Sequence, residues 1–201
     1  MARIKNIKQY DTMKARLLTE GLELMQTRSF SAIGINDVLK KSNIPKGSFY
    51  HYFKSKENFG LEVAEFYHHQ QMKSAKEILR NDALTSIERL QLFFQTARES
   101  FANRSFKHGC LMCNLSTELG DNNTLFQTML VDQWDELATE LTVCVTNIDK
   151  SELGLPNLSY EEIANWLLNA WSGALTRMKA LGNDKPLRLF EKTIFINKEC
   201  I

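Results

Sequence analysis

The sequence predicts an all-α protein. Apolar residues recur at three- and four-residue spacing along almost the whole chain, the pattern of helices that each bury one face. Helix breakers are scarce: 201 residues hold three prolines and nine glycines. An apolar content of 43% is enough to bury a core of real size, in one large domain or in a small one joined to a medium one. No window approaches the roughly eighteen consecutive apolar residues of a membrane span. The N-terminal MARIKNIKQYD carries basic residues with no apolar stretch behind them. A cytoplasmic protein with no membrane partner is expected.

The elements follow in order. A first helix covers about Asp11 to Arg28, with Leu17, Leu18, Leu22, Leu24 and Met25 on a broad inner face. After SFSAIG, a short helix runs from about Ile35 to Ser42 with Ile35, Val38 and Leu39 inward, and the break NIP separates it from another at about Lys46 to Tyr52. Asn43 suits a left-handed turn position and Pro45 a helix entry. Two short helices across so tight a turn form a helix-turn-helix. Longer helices follow at about Lys56–Arg80 and Ser86–Arg104, a shorter one at Gly109–Leu119, and a long one at Asn122–Ile148. Ser159 and Glu162 make a capping-box start for the next helix, which ends near Leu181, and a last helix starts at Pro186. The count is nine helices.

Charge divides the chain. Residues 1–60 hold 11 Lys/Arg against 5 Asp/Glu, a net of +6, and residues 61–201 hold 14 against 19, a net of −5. The first segment is thus suited to a polyanion. Its centre, IPKGSFYHYFKSKE, has what a helix entering the DNA major groove needs. Gly47 and Ser48 allow close approach, and the Ser48 hydroxyl can bond a phosphate. Lys46 and His51 can reach bases, the rings of Tyr50 and His51 can touch thymine methyls, and Tyr52 and Lys56 are placed for backbone phosphates. Phe49 and Phe53, four residues apart, anchor the segment to Leu22, Val38 and Ile44.

The stretch FSAIGINDVLKKSNIPKGSFYHYFKSKENF resembles the DNA-binding module of the tetracycline-repressor (TetR) family of bacterial regulators, strongly over residues 10–60. The resemblance implies a nine-helix, all-α homodimer with a helix-turn-helix domain in residues 1–55 and an effector-binding and dimerisation domain in residues 56–201. It implies a palindromic double-stranded DNA operator, released when a small molecule binds, and hence a repressor. It also implies a four-helix dimer bundle from the last two helices. Operator contacts carry over to Lys46, Gly47, Ser48, Tyr50, His51, Tyr52 and Lys56. Three positions depart from the family pattern: Gly34 stands where Ser or Thr is usual, Asn36 where Arg is frequent, and Asn43 where Gly is usual. Arg3, Lys5 and Lys8 precede the first helix, either as an arm along the DNA or as a solvated terminus.

HGCLMCNLSTELGD holds the other chemistry. Its C-x-x-C, Cys110 and Cys113, reads as a redox pair, as two legs of a zinc site, or as two small buried residues. Zinc would need two further ligands where only His108 is offered, and a thioredoxin-like pair needs a βαβ context. No metal or cofactor is expected. GCL with the following LS and Glu resembles the effector domain of the NemR-like subgroup of the family, which responds to electrophiles and oxidants. That resemblance implies a reactive Cys110 with an associated Lys179; Cys113 is no part of it. Phe94, Trp134 and Trp166 are candidate walls of an apolar pocket for a non-covalent effector, although aromatic stripes at helical spacing also read as core.

Other classes find less support. No Gly-rich phosphate loop, His-Glu-x-x-His or paired carboxylate motif is present, so no enzyme is expected. A thiol-dependent enzyme and a helical adaptor are the rival readings.

Overall fold

The computed structural model describes residues 2–195, with side chains from Asp11 onward except that of Lys46. Among the described residues there are eight α-helices and no strand: α1 (Ala2–Thr27), α2 (Ile35–Ser42), α3 (Lys56–Leu79), α4 (Ser86–Ala102), α5 (Leu111–Leu119), α6 (Thr124–Val145), α7 (Tyr160–Leu181) and α8 (Lys185–Ile194). The expected ninth helix is instead a 3₁₀ helix, Lys46–His51. Its bonds run three residues back, from Ser48 N–H to the Pro45 carbonyl at 3.0 Å and from Tyr52 N–H to that of Phe49 at 2.9 Å. Six residues behind a proline are too few to set up an α-helical ladder, and the tighter 3₁₀ winding fits short pieces. The first helix also starts earlier than expected, so the backbone of the supposed N-terminal arm continues α1. The side chains of Arg3, Lys5 and Lys8 lie outside the described ones.

The ends of these helices follow local rules. Asn43 closes α2 in the left-handed conformation, φ 52° and ψ 45°. Gly34 starts α2 without a capping side chain, but Asp37 reaches back to its N–H at 2.8 Å, which retains half of a capping box. Ser159 and Glu162 form the complete box, with bonds of 3.1 and 2.7 Å.

Two apolar cores result. The first joins α1, α2, the 3₁₀ helix and the first half of α3 through Leu17, Met25, Val38, Phe49, Phe53 and Phe59, and also takes in Leu111, Leu115 and Leu119 of α5 and Phe126 of α6. The second joins the end of α3 to α4, α6, α7 and α8 around Leu90, Phe94, Leu141, Leu167, Trp171 and Phe190. Lys14–Glu62 at 2.6 Å and Lys41–Glu23 at 2.8 Å tie α1 to α3 and α2. Such partly exposed pairs contribute about 0–1 kcal/mol each, so apolar burial dominates. Gly60 permits a close approach in this packing: a Cβ there would stand 2.5 Å from the Phe30 ring, which would have to shift. Cys110 and Trp134 are half-buried and pack against both cores, at the seam between them.

Candidate DNA-binding surface and thiol site

The 3₁₀ helix divides its side chains sharply. Phe49 and Phe53 are 0% and 1% exposed, and their ring centroids lie 5.4 and 4.9 Å from that of Phe59 on α3. Tyr50 is 68% exposed; Gly47 and His51 are also exposed and Ser48 is half-buried. Tyr52 is half-buried against the first core, so only part of it faces outward. The Lys46 side chain is outside the described ones. Lys56 has an internal role that its sequence position did not suggest. Its Nζ donates to the Ser31 carbonyl at 3.2 Å and lies 4.6 Å from the centre of the Phe30 ring.

The thiol site is built around the start of α5. Cys110 is the N-cap residue, with extended backbone at φ −63° and ψ 126°, and Cys113 lies in the first turn. The chain approaches through Ser105 and Phe106, two successive non-glycine residues in the left-handed region at φ 53° and 58°. Gly109 then passes so close to α7 and α5 that a Cβ would meet Lys179 Cδ at 3.2 Å and Asn114 Oδ1 at 2.8 Å. The Cys110 thiol is pulled below its ordinary range. The Cys113 thiol donates a hydrogen bond to it, burial opposes, and the Cys113 N–H, the Tyr67 hydroxyl and the Met112 N–H add to the pull. Tyr67 Oη stands 3.6 Å from the Cys110 sulfur. The interaction with Cys110, with burial, pushes the Cys113 thiol up. Cys144, by contrast, is buried and pushed up to about 11 by that burial, the state of an inert structural thiol.

Cys110 forms part of the wall of two hollows. A cleft of about 450 Å³ is lined by Cys110, Cys113, Asn114, Lys179, Arg28 and Glu118. An apolar cavity of about 180 Å³ lies on the other side, walled by Cys110, Trp134, Phe93, Phe101, Trp171 and Leu175. Lys179 Nζ reaches Asn114 Oδ1 at 3.5 Å.

The far end of α5 reaches the helix-turn-helix. The Glu118 carboxylate accepts from the backbone N–H groups of Phe30 and Ser31, both at 2.7 Å. Glu118 thus grips the N–H and Lys56 the carbonyl of Ser31, in the loop that enters α2. The near end is tied to α1, through Gly109 N–H to the Gln26 carbonyl at 3.2 Å.

Residues 17–63 match the family described as bacterial regulatory proteins, tetR family, and residues 86–194 match the tetracyclin repressor-like C-terminal domain. The chain belongs to the TetR family of transcriptional regulators. Transcriptional regulator AcuR of Cereibacter sphaeroides is 31% identical over 184 residues, 88% of this chain and 81% of AcuR. The HTH-type transcriptional repressor NemR of Escherichia coli (strain K12) is 34% identical over 113 residues, 56% of each chain. The crystal structure of NemR in its reduced form has a TM-score of 0.78 at 26% identity, covering 92% of this chain and 98% of that one. For the crystal structure of regulatory protein TetR from Rhodobacter sphaeroides the TM-score is 0.84 at 28% identity, covering 90% and 95%. These are DNA-binding regulators rather than enzymes.

Against that family background, the expected effector residues separate. Cys110, Lys179 and Trp134 converge on the two hollows. Phe94 does not: it is 0% exposed and its ring packs on Phe190 at 4.7 Å and Trp171 at 5.0 Å, inside the second core. Trp166 opens instead on a groove between α7 and α8. Burial, followed by the charge of Arg104, lowers the pKa of His108, while the charge of Glu23 opposes. Tyr67 and Glu118 are functional candidates that the sequence reading missed. No helix among the described residues is long and apolar enough to cross a membrane.

Proposed function

We propose that this TetR-family regulator is a repressor that binds a palindromic operator as a homodimer and releases it when Cys110 is alkylated or oxidised. Residues 1–55 carry the DNA contacts at Lys46, Gly47, Ser48, Tyr50, His51 and Tyr52, joined by Lys56 at the start of α3, and residues 56–201 carry sensing and dimerisation. The observation that supports the release step is the position of α5, with Cys110 as its cap at the seam of the two cores and Glu118 gripping the entry to α2. Nine helical residues span about 13 Å, so a displacement at the thiol end is delivered to the DNA-binding end by one rigid element. Lys179, an exposed cation beside Asn114 in the same cleft, would favour anionic species there. NemR is described as a repressor, which supports repression as the output here.

The mechanism is a population shift. In the binding state the two recognition segments lie about 34–36 Å apart, one turn of DNA. An adduct on Cys110 must be tolerated better in a state with another spacing, or nothing shifts. A test uses the palindrome upstream of the coding sequence as the DNA probe and N-ethylmaleimide as the electrophile. The wild-type protein is expected to leave the DNA and Cys110→Ser to stay bound. Release of Cys110→Ser while other thiols are being modified would sink the covalent reading. A non-covalent apolar effector is the second reading, favoured by the cavity walled by Trp134, Phe101 and Trp171.

Glu118 provides a separate check on the strut. Glu118→Ala removes two charge-assisted bonds, each contributing about 1.5–3 kcal/mol, but touches neither sulfur. Cys110 should still be alkylated to completion. The ratio of DNA affinities before and after alkylation, about 5–150-fold for typical coupling energies, should fall toward one in titrations of both forms.

A further inference from the structure

We propose that Cys113 is a resolving thiol, so that oxidation at Cys110 ends in a reversible Cys110–Cys113 disulfide rather than in a sulfenic acid. The inference rests on the reading of Cys110 as the reactive thiol and adds a residue which that reading leaves idle.

The geometry carries it. Cys110 is the N-cap of α5 and Cys113 is three residues on. This is the spacing at which an N-cap side chain reaches back over the first turn to the third helical residue. The two thiols govern each other's titration, Cys110 being drawn down and Cys113 pushed up by their interaction. Both open on the same cleft, through which a small oxidant has access. A zinc ion is a poor competitor for the pair, since the described residues include no group of three or more His, Cys, Asp or Glu able to hold a metal.

The chemistry balances with a hydroperoxide as oxidant. The Cys110 thiolate attacks the terminal peroxide oxygen; an S–O bond forms, the O–O bond breaks, and the alkoxide takes a proton from water to leave as the alcohol. Cys113 then attacks the Cys110 sulfur; the S–S bond forms and the S–O bond breaks. The departing hydroxide leaves as water with the Cys113 proton. The two thiols together lose two electrons and two protons, and the hydroperoxide is reduced to alcohol and water. The order of events has a physical basis. Cys113 is held protonated chiefly because its proton serves the Cys110 sulfur. Once that sulfur is a neutral sulfenic acid the restraint is gone, and the Ser172 hydroxyl, which already favours the Cys113 thiolate, assists the second step.

Closing the bond changes what holds α5. The Cys110 sulfur gives up its contact with Tyr67 on α3, 3.6 Å away in the reduced form. The thiol end of α5 thereby loses a tie to α3, while Glu118 still grips the loop before α2.

The test treats the full-length protein with hydrogen peroxide, blocks the remaining thiols, and reads the peptide spanning both cysteines by mass spectrometry. In the wild type that peptide should lose two hydrogens, regain them with dithiothreitol, and give only a trace of dimedone adduct. In Cys113→Ser and in Cys113→Ala, dimedone capture at Cys110 should become the major product. Circular dichroism of both variants checks that they fold. A wild-type protein whose Cys110 is captured by dimedone as fully as that of the two variants overturns the resolving role and leaves the reactive-thiol reading standing. A Cys110 that reacts with neither peroxide nor N-ethylmaleimide in any form overturns both.

Discussion

Phe49→Ala is expected to lower the stability of the DNA-binding module by about 3–5 kcal/mol, the usual range for removing a buried phenylalanine, and to abolish DNA binding with it. The ring is 0% exposed and lies 5.3 and 5.4 Å from the rings of Phe53 and Phe59. It is therefore the peg between the 3₁₀ helix and α3. A 3₁₀ helix of six residues has little stability of its own, so the exposed face it presents exists only while the buried one is packed. Tyr50→Ala is the matched control. Its ring touches Phe49 edge-on at 5.5 Å but is 68% exposed, and surface substitutions of this kind usually change stability by less than about 0.5 kcal/mol. Denaturant melts and DNA titrations on the two variants should separate folding from contact: Phe49→Ala unstable, Tyr50→Ala stable and weakly binding. Equal losses of stability in both would mean that Tyr50 belongs to the core and that the surface assignment is mistaken.

The same contrast explains what was legible in the sequence. A peg at i and i+4 can be read from Phe49 and Phe53 alone, and so can the turn at Asn43, whose side chain tolerates the left-handed conformation. The 3₁₀ winding could not be read, because six residues are too short a window to tell a period of 3.0 from one of 3.6. Periodicity also identifies which residues face inward without saying whether they meet a neighbour or a void. Phe94 and Trp134 look alike in sequence, but one fills the second core and the other walls a cavity at the seam. The Cys110 site was legible only at its centre. The helix start is local, whereas Tyr67 lies 43 residues earlier and Glu118 reaches back 87 and 88 residues to Ser31 and Phe30. No pattern within a segment encodes contacts of that span.

Leu189→Asp is expected to turn the protein into a folded monomer that binds DNA poorly. Leu189 is 59% exposed, and its neighbours Leu187 and Phe190 face the second core on the other side of α8. With Trp166, 37% exposed, Ala170 and Gly173 it lines a shallow groove of about 310 Å³ between α7 and α8. Small residues along α7 beside an outward leucine and tryptophan are what a helix pair needs to receive a second pair closely. A two-fold interface uses each such residue twice, so one substitution removes two buried leucines, each contributing about 1.5–3 kcal/mol, and adds two carboxylates without partners. Dimer affinity should fall by at least about 10²-fold. Operator affinity should fall as well, because linking two half-site contacts raises avidity by about 10²–10⁴-fold. Sedimentation measures the first effect and DNA titration the second. The monomer should stay folded, because the Leu189 side chain contributes almost nothing to the core of its own chain, and its melting should lose only the stabilisation that dimerisation adds. If Leu189→Asp remains dimeric, the two copies meet elsewhere, and the proposed spacing of the recognition segments loses its foundation.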